Sequence, residues 1–148
     1  DWLEALWAAR MGRVSQEELV RFYAACTQAA PQPMPQGDAR AAIRRYQTWQ
    51  AWALDGATLE SAWAVEARQG LPWAACLTVA AAQHSGCHWL LSLQLGDLGE
   101  LGQLDVPADA STELAATPGA TVHADCTLAG VHVLNPARVS PAQFLASI

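Results

Sequence analysis

Apolar residues recur at helical spacing from the start of the chain. Trp2, Leu3, Leu6 and Trp7 share one side of a segment from Asp1 to Arg10, and Asp1 and Glu4 sit where the positive end of a helix dipole favours acids. Gly12 interrupts this first helix. Ser15 followed by Glu18 then has the spacing of a capping box ahead of Leu19, Val20, Phe22, Tyr23 and Cys26, which predicts a second helix over about 15–29. In the run Pro31-Gln32-Pro33-Met34-Pro35-Gln36-Gly37 the prolines lack a backbone donor and fix φ, so it cannot continue that helix and reads as a linker or surface loop. Asp38 can cap a third helix from Ala39 to Leu54, with Ile43, Tyr46 or Gln47, Gln50 and Leu54 on one face, ending near Asp55-Gly56. Thr58 to Arg68 fits two periods: Leu59, Trp63 and Ala67 suit a helix, and Leu59-x-Ser61-x-Trp63-x-Val65 suits a strand. It is read as strand-like.

From Trp73 the texture changes. Cys76-Leu77-Thr78-Val79 and His88 to Leu95 flank Ser85-Gly86, which predicts a β-hairpin. Further strands are expected over Gly99–Val106, Thr121–Leu128 and Gly130–Leu134, separated by Pro107, Pro118-Gly119 and Asn135-Pro136. Ser140-Pro141 opens a short final helix through Phe144 and Leu145, with proline at the first helical position. The expected fold is therefore α+β, a helical N-terminal half packed on a small antiparallel sheet from the C-terminal half. It is read as a single domain over 1–148, with 1–70 mainly helical and 71–148 mainly strands.

Composition sharpens this picture. Of the 148 residues, 52% are hydrophobic and 15% charged, and seven are tryptophan, so the chain can bury a substantial core with aromatic anchors. The net charge is −6, without the basic stripe that neutralises phosphates, which argues against a nucleic-acid partner. All eight basic residues are arginine. The absence of lysine excludes a Schiff-base lysine and the lysine of a phosphate-binding P-loop. Residues 1–74 carry seven arginines against eight acids and residues 75–148 carry Arg138 against six, so the second half holds −5 of the charge. An acidic face there suits a basic partner or simply a solvated sheet surface. No apolar stretch reaches the roughly 20 residues needed to span a bilayer. Cys26, Cys76, Cys87 and Cys126 lack paired short spacings, which favours reduced thiols and a cytoplasmic location. A signal peptide removed ahead of Asp1 would leave no trace in the sequence.

Candidate chemistry centres on His84-Ser85-Gly86-Cys87-His88 and His123-Ala124-Asp125-Cys126, two His-x-x-Cys pairs. Together His84, Cys87, His123 and Cys126 carry the ligand types zinc takes. A tight turn at Ser85-Gly86 would make His84 and Cys87 cross-strand neighbours. A strand over Thr121–Leu128 would instead point His123 and Cys126 to opposite faces, which weighs against a four-ligand site. Cys87 beside His84 or His88 has the residue types of a thiol nucleophile, but that chemistry needs a lowered thiol pKa and a third group orienting the base. Asp97, Glu100, Asp105 and Asp109 lie in turn-rich contexts where solvation is the ordinary role. Gly96-Asp97-Leu98-Gly99-Glu100-Leu101-Gly102 lacks the strand–helix frame of a dinucleotide site. Arg40, Arg44 and Arg45 could clamp an anion or form a solvated helix face. Trp49, Trp52 and Trp63 read as core rather than as a ligand box.

The stretch Glu113-Leu114-Ala115-Ala116-Thr117-Pro118-Gly119-Ala120-Thr121-Val122-His123-Ala124-Asp125, continuing to Gly130-Val131-His132-Val133-Leu134, resembles the surface-presentation-of-antigens type domain of flagellar switch and type III secretion ring proteins. Ala120 stands where that pattern carries an acid after Pro-Gly, and the likeness covers about a fifth of the chain. The Trp89–Val106 run resembles the export-control domain of hook-length proteins. Both resemblances imply a cytoplasmic, non-enzymatic part of a bacterial export apparatus. The expected function is thus a protein-interaction or assembly module, binding a protein partner or a second copy, with no cofactor. The alternative is a zinc-binding or thiol-dependent enzyme using His84, Cys87, His123 and Cys126.

Overall fold

A computed structural model describes residues 1–29, 31–95 and 124–148. Helix α1 spans Trp2–Ala9, with Asp1 at its N-cap accepting from the Leu3 N–H at 2.8 Å, and it stops at Arg10 in the left-handed region. Helix α2 spans Gln16–Ala24 behind the Ser15 cap, whose hydroxyl accepts from the Glu18 N–H. The reciprocal half of the expected capping box is absent, because the Glu18 carboxylate is taken by Arg21 at 3.0 Å and by the Thr78 hydroxyl at 2.8 Å. The helical path continues to residue 29 as a π-helical turn, Ala25–Ala29.

Helix α3 spans Gln36–Gln47 and stops well short of Leu54. The chain turns at Thr48–Gln50, where Gln50 has φ 56, and Trp52 forms a parallel bridge with Ser15. That bridge, through Trp52 N to Val14 O and Gln16 N to Trp52 O, each 2.9 Å, is incompatible with a helix continuing through 52.

Residues 58–68 form a helix, correcting the strand-like expectation. Helix α4 spans Gly56–Gln69 and buries Thr58, Ala62 and Val65, a helical spacing that the large exposed Trp63 obscures in the sequence. Helix α5 spans Trp73–His84, so the hairpin expected over 76–95 is not formed. Its burial is nearly continuous from Cys76 to Ala82, as suits a helix enclosed by the fold, and it erases the amphipathic period. Ser85-Gly86 is the helix stop. Gly86, with φ 68, bonds Gln83 O at 3.0 Å, and Cys87 N reaches back to Ala82 O at 2.9 Å, the pattern of a Schellman cap.

Three short strands follow: β1 (Trp89–Leu91), β2 (Cys126–Leu128) and β3 (Val131–Leu134), in the order β1-β3-β2. The α+β class holds, with a mixed sheet rather than a purely antiparallel one. β2 and β3 are an antiparallel hairpin turned at Ala129-Gly130, both with positive φ, while β1 pairs parallel to β3 with Trp89 opposite His132. Residues 93–95, expected as strand, enter a helical turn. The expected strand Gly99–Val106 and the start of Thr121–Leu128 lie outside the described residues.

The sheet is covered on both faces. Val133 is buried with Cys76, Val79 and Ala80 of α5 and Ala62 and Val65 of α4. The next residue, Leu134, points the other way and packs with Phe144 of the final helix α6 (Pro141–Leu145), alongside Trp2 and Trp89. The Trp2 ring lies 5.5 Å from Phe144 and its Nε1 donates to Pro136 O at 2.8 Å, so α1 closes this layer. Helix α6 carries the complete capping box, Ser140 with Gln143. Among the described residues, no helix is long and apolar enough to cross a membrane.

Candidate functional site

The cap of α4 begins a polar chain that leads to α5. Asp55 accepts from the Thr58 N–H at 2.8 Å and the Thr58 hydroxyl at 2.7 Å, and the same hydroxyl accepts from Trp52 Nε1 at 3.0 Å. Thr58 is fully buried, so this pairing satisfies a hydroxyl that would otherwise be costly to enclose. The Trp52 ring packs against the His84 imidazole, centroids 5.9 Å apart, and His84 Nε2 lies 2.9 Å from Ser61 Oγ. The two bonds from Thr58, with the charge of His84 adding to them, hold the Asp55 carboxyl below its ordinary value of 3.8.

This grouping contains serine, histidine and aspartate but is not aligned as a proton relay. A relay needs the carboxylate hydrogen-bonded to the far imidazole nitrogen. Both bonds described to Asp55 Oδ1 come from Thr58, and Ser61 sits inside α4 rather than at a strained turn. The arrangement ties α4 to α5 at the level of Ser61 and His84.

A groove of about 220 Å³ opens beside this tie. Helix α4 lines it with Ser61, Val65, Arg68 and Gln69, α5 with Gln83, and the β2–β3 turn with Ala129. The Gln83 amide donates to Ala129 O and so fixes the turn against α5. Elsewhere on α4, outside the groove lining, Trp63 is 49% exposed and stacks on Trp73, itself 38% exposed, with centroids 6.4 Å apart and planes at 23°. Trp63 is therefore surface, in contrast to the half-buried Trp49 and Trp52.

The residues proposed for zinc are dispersed in role. His84 faces α4 rather than crossing a hairpin to Cys87. Cys87 follows the helix stop, half-buried, and burial pushes its thiol up, with Arg13 acting weakly in the other direction. Cys126 lies in the core with Sγ 3.8 Å from Leu95 O, and burial, with Asp125 beside it, pushes its thiol up to about 11. His123 lies outside the described residues. Among the described residues, no three His, Cys, Asp or Glu side chains are grouped to hold a metal. A thiol nucleophile at Cys87 would need a shift in the opposite direction.

Asp97, Glu100, Asp105, Asp109 and the Gly96–Gly102 run also lie outside the described residues, as do residues 113–123 of the export-type resemblance. In the arginine cluster, Arg45 stands over the Trp7 ring at 4.6 Å and Arg40 bonds Gln36 at 3.3 Å, so two of the three have roles within the helical layer. Sequence reasoning did not single out Asp55, Thr58 or Ser61 as interacting groups. The Asp55-x-x-Thr58 spacing is a cap signal that, given more weight than Trp63, would have located both α4 and the start of this chain of contacts. Comparison with models of protein families, with curated proteins and with solved structures gave no match.

Proposed function

We propose that this chain is a non-enzymatic protein-binding module that meets a protein partner or a second copy of itself through the surface around Trp63 and Trp73. The observation that carries this reading is the exposed, stacked indole pair on α4 and α5. Tryptophan is enriched in the energetic centres of interfaces, because it removes a large apolar area from water at little entropy cost. Covering the exposed parts of both rings would supply on the order of 5 kcal/mol before the costs of association. The direction of the thiol shifts and the unaligned serine–histidine contact give no matching support to an enzyme. The narrower expectation, a component of a bacterial type III secretion or flagellar export apparatus, rests on the resemblance of residues 113–134, and the surface argument does not depend on it.

Sedimentation velocity over a wide concentration range, together with photo-crosslinking from a probe placed at position 67 on the same helix face, tests the proposal. Association or a discrete crosslinked product that disappears in the Trp63→Ala, Trp73→Ala double variant is expected. A strict monomer that gives no crosslink in extract of its source cells would overturn it.

A further inference from the structure

We propose that the groove between α4, α5 and the β2–β3 turn is a binding site for a small carboxylate with a short apolar tail, a role separate from protein docking at the tryptophan pair. Its lining combines one cationic side chain with neutral polar groups and apolar wall. Arg68 stands on the last turn of α4, and among the described residues it forms no ion pair within 4.0 Å, so its guanidinium is available as a planar, two-toothed partner for a carboxylate. Ser61, Gln69 and Gln83 add neutral polar groups to the same lining, and Val65 and Ala129 supply apolar wall.

The site has a fixed frame. Val65 is 4% exposed and packs in the main core, while the Gln83 amide bonded to Ala129 O holds the turn to the helix. Ser61 is held by His84 Nε2, so its hydroxyl is oriented before a ligand arrives. Preorganised polar groups lose less entropy on binding than mobile ones. The volume of about 220 Å³ lies below the range of drug-sized pockets, roughly 300–1,000 Å³, which selects short acids over nucleotides or peptides. A ligand of that size binds with a dissociation constant on the order of 1 mM.

The test is amide and histidine-ring NMR titration of the whole chain with butyrate, and with butyramide and inorganic phosphate as separate probes. Butyrate is expected to shift the amides of Ser61, Arg68 and Gly130 together with the His84 ring. Arg68→Gln, at an exposed position, should weaken that binding at least tenfold while leaving the thermal melt unchanged. Ala64 also lines the groove, from an exposed position on α4, and Ala64→Leu, which fills the space, should abolish binding. Equal binding of butyramide or phosphate, shifts spread over every arginine, or full retention of binding in both variants would each overturn the proposal.

Discussion

Gly12 lies flat against the indole of Trp49, so closely that a methyl group there would fall 2.5 Å from ring carbon Cε3. Trp49 has little room to retreat, being packed at 5.6 Å on Trp7 and 5.1 Å on Tyr46. Gly12→Ala is therefore expected to destabilise the protein by about 1–3 kcal/mol, as other overpacked sites do. Urea unfolding measures it, and Trp49→Leu in the same background should restore part of the loss if the ring is the obstacle.

The Asp55 carboxyl makes a pH-dependent contribution whose sign is fixed by its lowered value. The folded form holds the proton less tightly than the unfolded chain, so stability from this group is fully present above 3.8 and is lost as pH falls through the lower folded value. Thermal melts of the wild type and Asp55→Asn should therefore converge as the pH is lowered below about 4. A constant gap down to pH 2 would show that the carboxylate charge is not what Thr58 recognises.

Gly86 tests the helix stop. Its Cβ position is open, with nothing within 4 Å, so substitution is opposed by the positive φ of 68 alone. Gly86→Ala should cost about 1–2 kcal/mol, and Gly86→Asn clearly less, because asparagine tolerates the left-handed region. Equal costs for the two substitutions in denaturant titrations would contradict the cap assignment.

Cys126 should alkylate far more slowly in the native protein than in its unfolded state. A value of about 11 against an ordinary 9.0 lowers the thiolate fraction at neutral pH about a hundredfold, and burial adds to this by blocking access. Mass-resolved iodoacetamide labelling at pH 7, with and without denaturant, gives the ratio directly. Native labelling of Cys126 as fast as that of half-buried Cys26 would refute the placement of its side chain in the core.

What could be read from the sequence was local chemistry. Ser15-x-x-Glu18, Ser140-Pro141-x-Gln143 and the acids at the start of α1 announce three helix starts, because a cap is made by residues within one turn of one another. The misread segments depend on distant partners. Helix α5 looks like a strand because nearly every side chain from Cys76 to Ala82 is enclosed, which leaves no polar face to reveal the period. Gly86 marks a helix stop as readily as a hairpin turn, and only the carbonyls of Ala82 and Gln83 decide between them. Trp63 drew the reading of α4 towards strand because hydrophobicity was equated with burial, whereas the small residues Thr58 and Ala62 are the ones inside. The contact of Ser61 with His84 joins positions 23 apart in the sequence, and no spacing rule reaches across two helices to find it.

The mixed pairing of the sheet has a consequence for how this chain tolerates insertions. β1 runs parallel and β2 antiparallel to β3, so β1 finishes and β2 starts at the same rim. Ser92 and Asp125, which follow β1 and precede β2, both bond that rim, to Leu134 O at 3.1 Å and Val133 O at 2.8 Å. One extra residue at Ala129-Gly130 would slip the hairpin and exchange the inward and outward sides of Val131, Val133 and Leu134. The two-residue turn is where the length of this chain is least free to vary.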